Sequence, residues 1–144
     1  MMPAHDVARY FVSLVDEEAG DSITNLKLQK LLYYAQGVNL ALNDVCLFPD
    51  PIEAWTHGPV VPNVYRAYKQ HGGEAIPVEQ VNLEAYEKDT CELLDEVVRG
   101  AGLDDFAVVH NKDTIAERSS LVHVMRREYG RYALLVESAD FIPY

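Results

Sequence analysis

Apolar side chains at Val7, Ala8, Phe11, Leu14 and Val15 recur at the spacing that lines one face of an α-helix. Pro3 and Asp6 open this first amphipathic helix and Gly20 closes it. A second, stronger stripe follows at Leu28, Leu31, Leu32, Ala35, Val38 and Leu42, with the Thr24 hydroxyl placed to accept from a free N–H of its first turn. Asn43-Asp44 then marks a turn.

From Val45 to Thr56 the helical period is lost and Pro49 and Pro51 break the chain, so two short strands or an irregular β-ribbon fit best. Strand alternation puts Ile52, Ala54 and Thr56 on one face and Glu53 and Trp55 on the other, where Trp55 can stack over a neighbouring helix. His57-Gly58-Pro59 turns sharply, and Pro62 suits the first turn of a third helix that starts at about Asn63. Val61, Val64, Tyr65 and Tyr68 mark its stripe, and His71-Gly72-Gly73 ends it.

Beyond this point Asn82 is a cap for a broken stripe at Leu83, Tyr86, Leu94, Val97 and Val98. Leu121, Val124, Met125, Glu128 and Tyr132 predict a further helix from Glu117, and Phe141 and Ile142 dock the closing residues. The expectation is a mainly α (α+β) fold: a single domain over 1–144, with five or six helices and a short β-ribbon between the second and third.

Composition fits that picture. A chain of 144 residues with 49% hydrophobic and 24% charged residues is of a size to build one core. Charge then narrows the partners. Twelve Lys and Arg face 23 Asp and Glu, a formal net charge of −11, so the averaged field repels phosphate backbones and anionic lipid. Nucleic acid and membrane are disfavoured partners. Nine of the acids lie between Glu79 and Asp105 against only Lys88 and Arg99. This run is either a solvated helix face or a steering surface for a basic partner. Arg126, Arg127 and Arg131 form the basic cluster and suit helix C-terminal carbonyls or the acidic helix better than phosphate.

Cys46 and Cys91 stand 45 positions apart without a CxxC pair, and no run of apolar residues is long enough to span a bilayer. With no secretory signal at the N-terminus, the expectation is a cytoplasmic protein whose cysteines are small buried hydrophobes. Catalytic motifs are not legible. There is no nucleophile elbow, P-loop or H-E-x-x-H, and the histidines are scattered at 5, 57, 71, 110 and 123. A site built from His57 and His110 would need tertiary assembly. The reading is therefore a binding module, not an enzyme, with no cofactor and no metal.

The candidate binding residues sit in the two most patterned segments. On the second helix Lys27, Lys30 and Tyr34 share one face, and Gln29, Tyr33 and Gln36 share the next, both beside the leucine seam. Trp55, His57, Pro59, Tyr65 and Tyr68 come from the ribbon and the third helix. Taken singly, each fits a solvated face or the core margin. As a group they are large aromatics with polar tips plus two lysines, the composition of an interface anchor.

Thr24 to Gly37, reading T-N-L-K-L-Q-K-L-L-Y-Y-A-Q-G, resembles the opening motif of the Panacea-domain antitoxin family, which includes SocA-like and GepA-like members. Ala54 to Tyr65, with its W-x-x-G-P-V-x-P-x-V-Y pattern, followed by Tyr68, Lys69 and Gly72, resembles the family's second motif. The signature covers 5–73, and 74–144 diverges from it. A later T-H-x-E-x-P-W-like motif is not evident. Val109–Ile115 keeps His110 and Asp113 without the proline and tryptophan, whereas a competing register uses Tyr129-Gly130-Arg131-Tyr132-Ala133. The resemblance implies an antitoxin that inactivates a cognate toxin by direct binding and, in SocA-like members, an adaptor that delivers the toxin to an ATP-dependent protease. The alternative is a prophage-encoded regulatory or structural protein of the same fold with no toxin partner.

Overall fold

The computed structural model describes residues 1–101, which form four α-helices and one two-stranded antiparallel ribbon. The helix expected from Glu117, the closing segment, His110, Asp113 and the arginine cluster lie outside the described residues. Within them the mainly helical architecture, with a ribbon between the second and third helices, is as expected.

Helix α1 (Ala4–Ser13) buries Val7, Ala8, Phe11 and Val12. It ends at Ser13, earlier than Gly20 suggested. Leu14 and Val15 leave the helix through backbone bonds to Phe11 and Val12, and Val15 still reaches the core. Proline at position 3 has no side-chain acceptor to offer, so Asp50 caps α1 from a distant loop, its Oδ2 accepting from Ala4 N at 3.0 Å.

Helix α2 (Asn25–Asn43) starts as predicted, Thr24 Oγ1 accepting from Lys27 N at 3.3 Å. It stops where Asp44 turns left-handed at φ 55°, a conformation aspartate tolerates better than most residues. Leu28, Leu31, Leu32 and Ala35 are fully buried, whereas Val38 is half-buried and Leu42 exposed. The leucine seam therefore does not run the length of the helix. The buried face instead carries the amides Asn25, Gln29, Gln36 and Asn39.

Residues 45–52 are not strand. Strands β1 (Glu53–Trp55) and β2 (Gly58–Val60) pair in the register Glu53 with Val60, Ala54 with Pro59 and Trp55 with Gly58. The ribbon is thus shifted toward the C-terminus of its expected place, and the sharp turn is its own hairpin, Thr56-His57. Gly58 leaves that turn at φ 122°, where a Cβ would strain the backbone although nothing lies within 4 Å of one. Ile52 is buried and Ala54 half-buried, as alternation requires, but Thr56 is exposed in the turn.

Helix α3 (Pro62–Tyr68) has proline at its start, where a missing N–H costs nothing, and tightens into a 3-10 turn at Lys69–His71 before Gly72. Asn82 caps only one 3-10 turn, Leu83–Ala85, its side chain accepting from Glu84 N at 3.1 Å. Helix α4 (Lys88–Ala101) then buries Leu94 and Val97 in the shared core.

Helix α1 ties this later segment down. Tyr10 Oη donates to Asp95 at 2.9 Å, Tyr86 Oη donates to the Asp6 carbonyl at 2.9 Å, and Arg9 pairs with Glu79 at 3.3 Å. Cys46 and Cys91 are free and half-buried. No helix of the described residues is long and apolar enough to cross a membrane.

Candidate partner-binding site

The site begins with the two glutamines, because they decide where the ribbon and α3 lie on α2. Gln29 Oε1 accepts from the Val61 amide at 2.9 Å, while its Nε2 donates to Asn25 Oδ1 at 2.9 Å. Asn25 Nδ2 in turn donates to the Tyr65 carbonyl at 3.1 Å. Val61 is the residue that enters α3, and it has no side chain able to cap. The Gln29-Asn25 pair therefore grips α3 at both ends of its first turn. Two turns further along α2, Gln36 holds the loop before the ribbon through Leu47 and Phe48. Gln29 and Gln36, expected on an outer face, are core groups, since burying an amide is tolerable only with such partners.

Held this way, Trp55 meets Tyr65 edge to face, ring centroids 4.9 Å apart. This is a preferred aromatic geometry. Trp55 is 37% exposed, and its indole N–H donates to Glu53 at 2.8 Å, which fixes the ring on the outside of the ribbon. Expecting Trp55 to stack over a neighbouring helix was correct, the helix being α3. His57 is exposed at the hairpin tip, and Pro59 is half-buried opposite Ala54.

On α2, Tyr33 and Tyr34 are half-buried with their rings 5.9 Å apart. Lys27 and Lys30 are half-buried on the same helix, and Lys27 Nζ donates to the Ser22 carbonyl at 3.3 Å. Among the candidate residues the structure brings together two aromatic pairs, Trp55 with Tyr65 and Tyr33 with Tyr34.

Tyr68 departs from expectation. It is 3% exposed, packed between His5 at 5.9 Å and His71 at 6.4 Å, and turned toward α1. Tyr65 and Tyr68 lie three residues apart on a shared side of α3, and while Tyr65 stays half-buried, packing against α1 through His5 takes the second tyrosine into the core. Burial, and then the Glu79 carboxylate, raises its phenol above the ordinary range. A partner cannot reach it without opening the core.

Sequence reasoning missed the buried amides. Their signal was present as Asn25, Gln29, Gln36 and Asn39, a stripe of amides at helical spacing beside the leucines. Among the described residues no group of three or more His, Cys, Asp or Glu side chains is arranged to hold a metal ion.

Comparison with known proteins gives this arrangement a family. Antitoxin SocA of Caulobacter vibrioides (strain NA1000 / CB15N) is 46% identical over 54 residues, which cover 38% of this chain and 29% of that protein. The matched stretch thus spans under a third of that relative's length. No solved structure matches. The family model described as "Antitoxin SocA-like, Panacea domain" matches residues 28–132, well past Gly73 where the two motifs end. It takes in Lys30, Tyr33, Tyr34, Trp55, His57, Pro59, Tyr65 and Tyr68, and Lys27 immediately precedes it. The match covers more than half of the chain, which therefore belongs to the SocA-like Panacea-domain antitoxin family.

Proposed function

We propose that this chain neutralises a cognate toxin by binding it directly, as a cytoplasmic binding module and not as an enzyme. The observation that carries the reading is the Trp55-Tyr65 pair: a partly exposed tryptophan held in fixed geometry on a ribbon that α2 pins through buried amides. Tryptophan and tyrosine dominate binding hot spots because they offer large contact area with few rotamers to freeze. Lys27, Lys30, Tyr33, Tyr34, His57 and Pro59 supply further contacts. Tyr68 contributes only through the core.

Steric blockade of the toxin needs no more than this surface. Delivery of the bound toxin to an ATP-dependent protease is a second mode, which would use another contact on the same chain.

The test is co-expression with the product of the adjacent open reading frame. Growth arrest should be relieved by the wild-type chain and not by Trp55→Ala or Tyr65→Ala. Both side chains are partly exposed and outside the buried core, so both variants should fold, which circular dichroism checks. Equal arrest with and without this chain would count against the antitoxin reading. Rescue in cells lacking the ATP-dependent protease distinguishes blockade, which persists, from delivery, which fails.

A further inference from the structure

The two edges of the ribbon are not alike. Pro59 has no N–H to donate, so its pair with Ala54 carries no ladder hydrogen bond, and the bonded pairs are Trp55 with Gly58 and Glu53 with Val60. In an antiparallel ladder the members of an unbonded pair turn their backbone groups away from each other. Ala54 therefore directs both its N–H and its carbonyl to the outer edge of β1, and no hydrogen bond to another segment of the described residues uses either group.

At the other edge Pro59 offers a carbonyl alone, which closes β2 to strand pairing. β2 is also the strand that lies against α2, while β1 stands outside it, packed on β2. An outer edge with an unpaired donor and acceptor is a template for a further strand.

The side chains say which strand fits. Glu53 and Trp55 are exposed on one face of β1, where Glu53 Oε2 accepts from the Trp55 indole N–H at 2.8 Å, and Glu53 takes part in no salt bridge among the described residues. A strand bonded to Ala54 would set its own residues opposite Glu53 and Trp55 at unbonded positions, where side chains approach most closely. A lysine or arginine suits Glu53, and a β-branched or aromatic residue suits Trp55. A second copy of this chain fits poorly, because symmetric pairing about Ala54 sets Glu53 against Trp55 without a cation and joins two chains of formal net charge −11 each.

We infer that the outer edge of β1 binds an extended segment of a basic partner protein as a third, antiparallel strand, bonded at Ala54, with a β-branched or aromatic residue against Trp55 and a lysine or arginine against Glu53. This deepens the proposed function by naming how the partner's chain is held. Only the partner's being a toxin rests on that reading.

The probe is a fluorescein-labelled decapeptide that repeats Val-Thr-Lys-Thr, titrated with the full chain at physiological salt and followed by anisotropy, beside the same peptide with glutamate in place of lysine. The lysine peptide should bind, and the glutamate peptide should bind at least about tenfold more weakly. Ala54→Pro removes the outward N–H without changing the charge, and proline already occupies the paired position. It should weaken the lysine peptide at least about tenfold, which separates strand pairing from charge attraction. Trp55 is the single tryptophan, so its unchanged emission, with circular dichroism, shows that the ribbon is intact in this variant. Glu53→Lys should reverse the preference toward the glutamate peptide.

No binding of the lysine peptide, or undiminished binding by Ala54→Pro with the ribbon intact, would overturn the inference. So would a concentration-dependent dimer abolished by Ala54→Pro, which would assign the edge to a second copy of this chain. Should Ala54→Pro disturb the Trp55 emission, Glu53→Lys decides alone, and an unreversed preference overturns the inference. Growth rescue by the wild-type chain is scored separately, so failure of the edge and failure of the antitoxin reading give different results.

Discussion

Gln36 and Phe48 form a two-way amide pair: Gln36 Oε1 accepts from the Phe48 N–H at 3.2 Å while its Nε2 donates to the Phe48 carbonyl at 3.0 Å. The same Oε1 also accepts from Leu47 N at 2.8 Å. One helical side chain thus does for an irregular loop what a neighbouring strand does in a sheet. It satisfies the buried backbone and fixes where the loop lies, and the ribbon that follows starts from that position.

Replacing Gln36 with leucine keeps the volume and removes every partner. Three backbone groups would lose their bonds inside the core, and orphaned buried groups cost roughly 1–3 kcal/mol each before relaxation. Gln36→Leu should therefore lower stability by about 3 kcal/mol, measured as the urea midpoint at constant slope. A change under about 1 kcal/mol would mean that water or a rearranged loop replaces the amide.

Gln29 acts closer to the ribbon and α3. Gln29→Met removes the acceptor for Val61 N and the donor to Asn25, loosening the entry to α3. The expected cost is about 2 kcal/mol. Trp55 is the single tryptophan, so its emission reports the ribbon alone. It should shift to the red in Gln29→Met as the indole leaves Tyr65. An unchanged spectrum would show that the ribbon holds itself on α2 without this bond.

Alkaline pH tests the tyrosine contacts. Burial, followed by the hydrogen bond to the Asp95 carboxylate, pushes the Tyr10 phenol above its ordinary value of about 10; burial and Glu79 do the same for Tyr68. Folding thus favours the protonated phenol. The contribution is present in full below pH of about 10 and is lost as pH rises through that value toward the folded pKa. Stability should stay flat near neutrality and fall above pH of about 10. Phenolate absorbance should then appear in two steps, exposed tyrosines first and the remainder with unfolding. Tyr10→Phe should reduce the steepness of the fall; an identical pH profile would remove Tyr10 from the explanation.

Two glycines separate backbone strain from crowding. A methyl group at either Gly58 or Gly73 would meet no atom within 4 Å, but only Gly58 has positive φ, at 122°. Gly58→Ala should cost about 1–2 kcal/mol and Gly73→Ala should be near neutral. Equal thermal shifts for the two variants would contradict the hairpin geometry.

The helices were legible because their signals are local. Thr24 caps, Pro62 starts and Asp44 stops, each acting within a turn of its own position, and the leucines from 28 to 32 needed only helical spacing to be assigned to the core. The ribbon was legible in kind but not in place. Its register depends on which backbone groups meet across Thr56-His57, and proline and glycine at 58–59 read more readily as a turn than as a strand. Of the candidate binding residues, Trp55 is partly exposed as expected and Tyr68 is buried. They differ because an aromatic at a helix margin can face either way until neighbouring helices are packed.

The sequence by itself determined the family, the two motifs, the acidic balance and the mainly helical class with one ribbon, all of which rest on residue identity and short-range spacing. Only the tertiary structure decided that Gln29 and Gln36 belong to the interior, that Tyr68 turns toward α1, and that Leu42 is left exposed at the end of α2. An amide can be buried only where distant backbone groups bond to it, and a leucine stays exposed only where nothing packs on it. Those conditions belong to segments far apart in the chain, so the pattern within any one helix does not contain them.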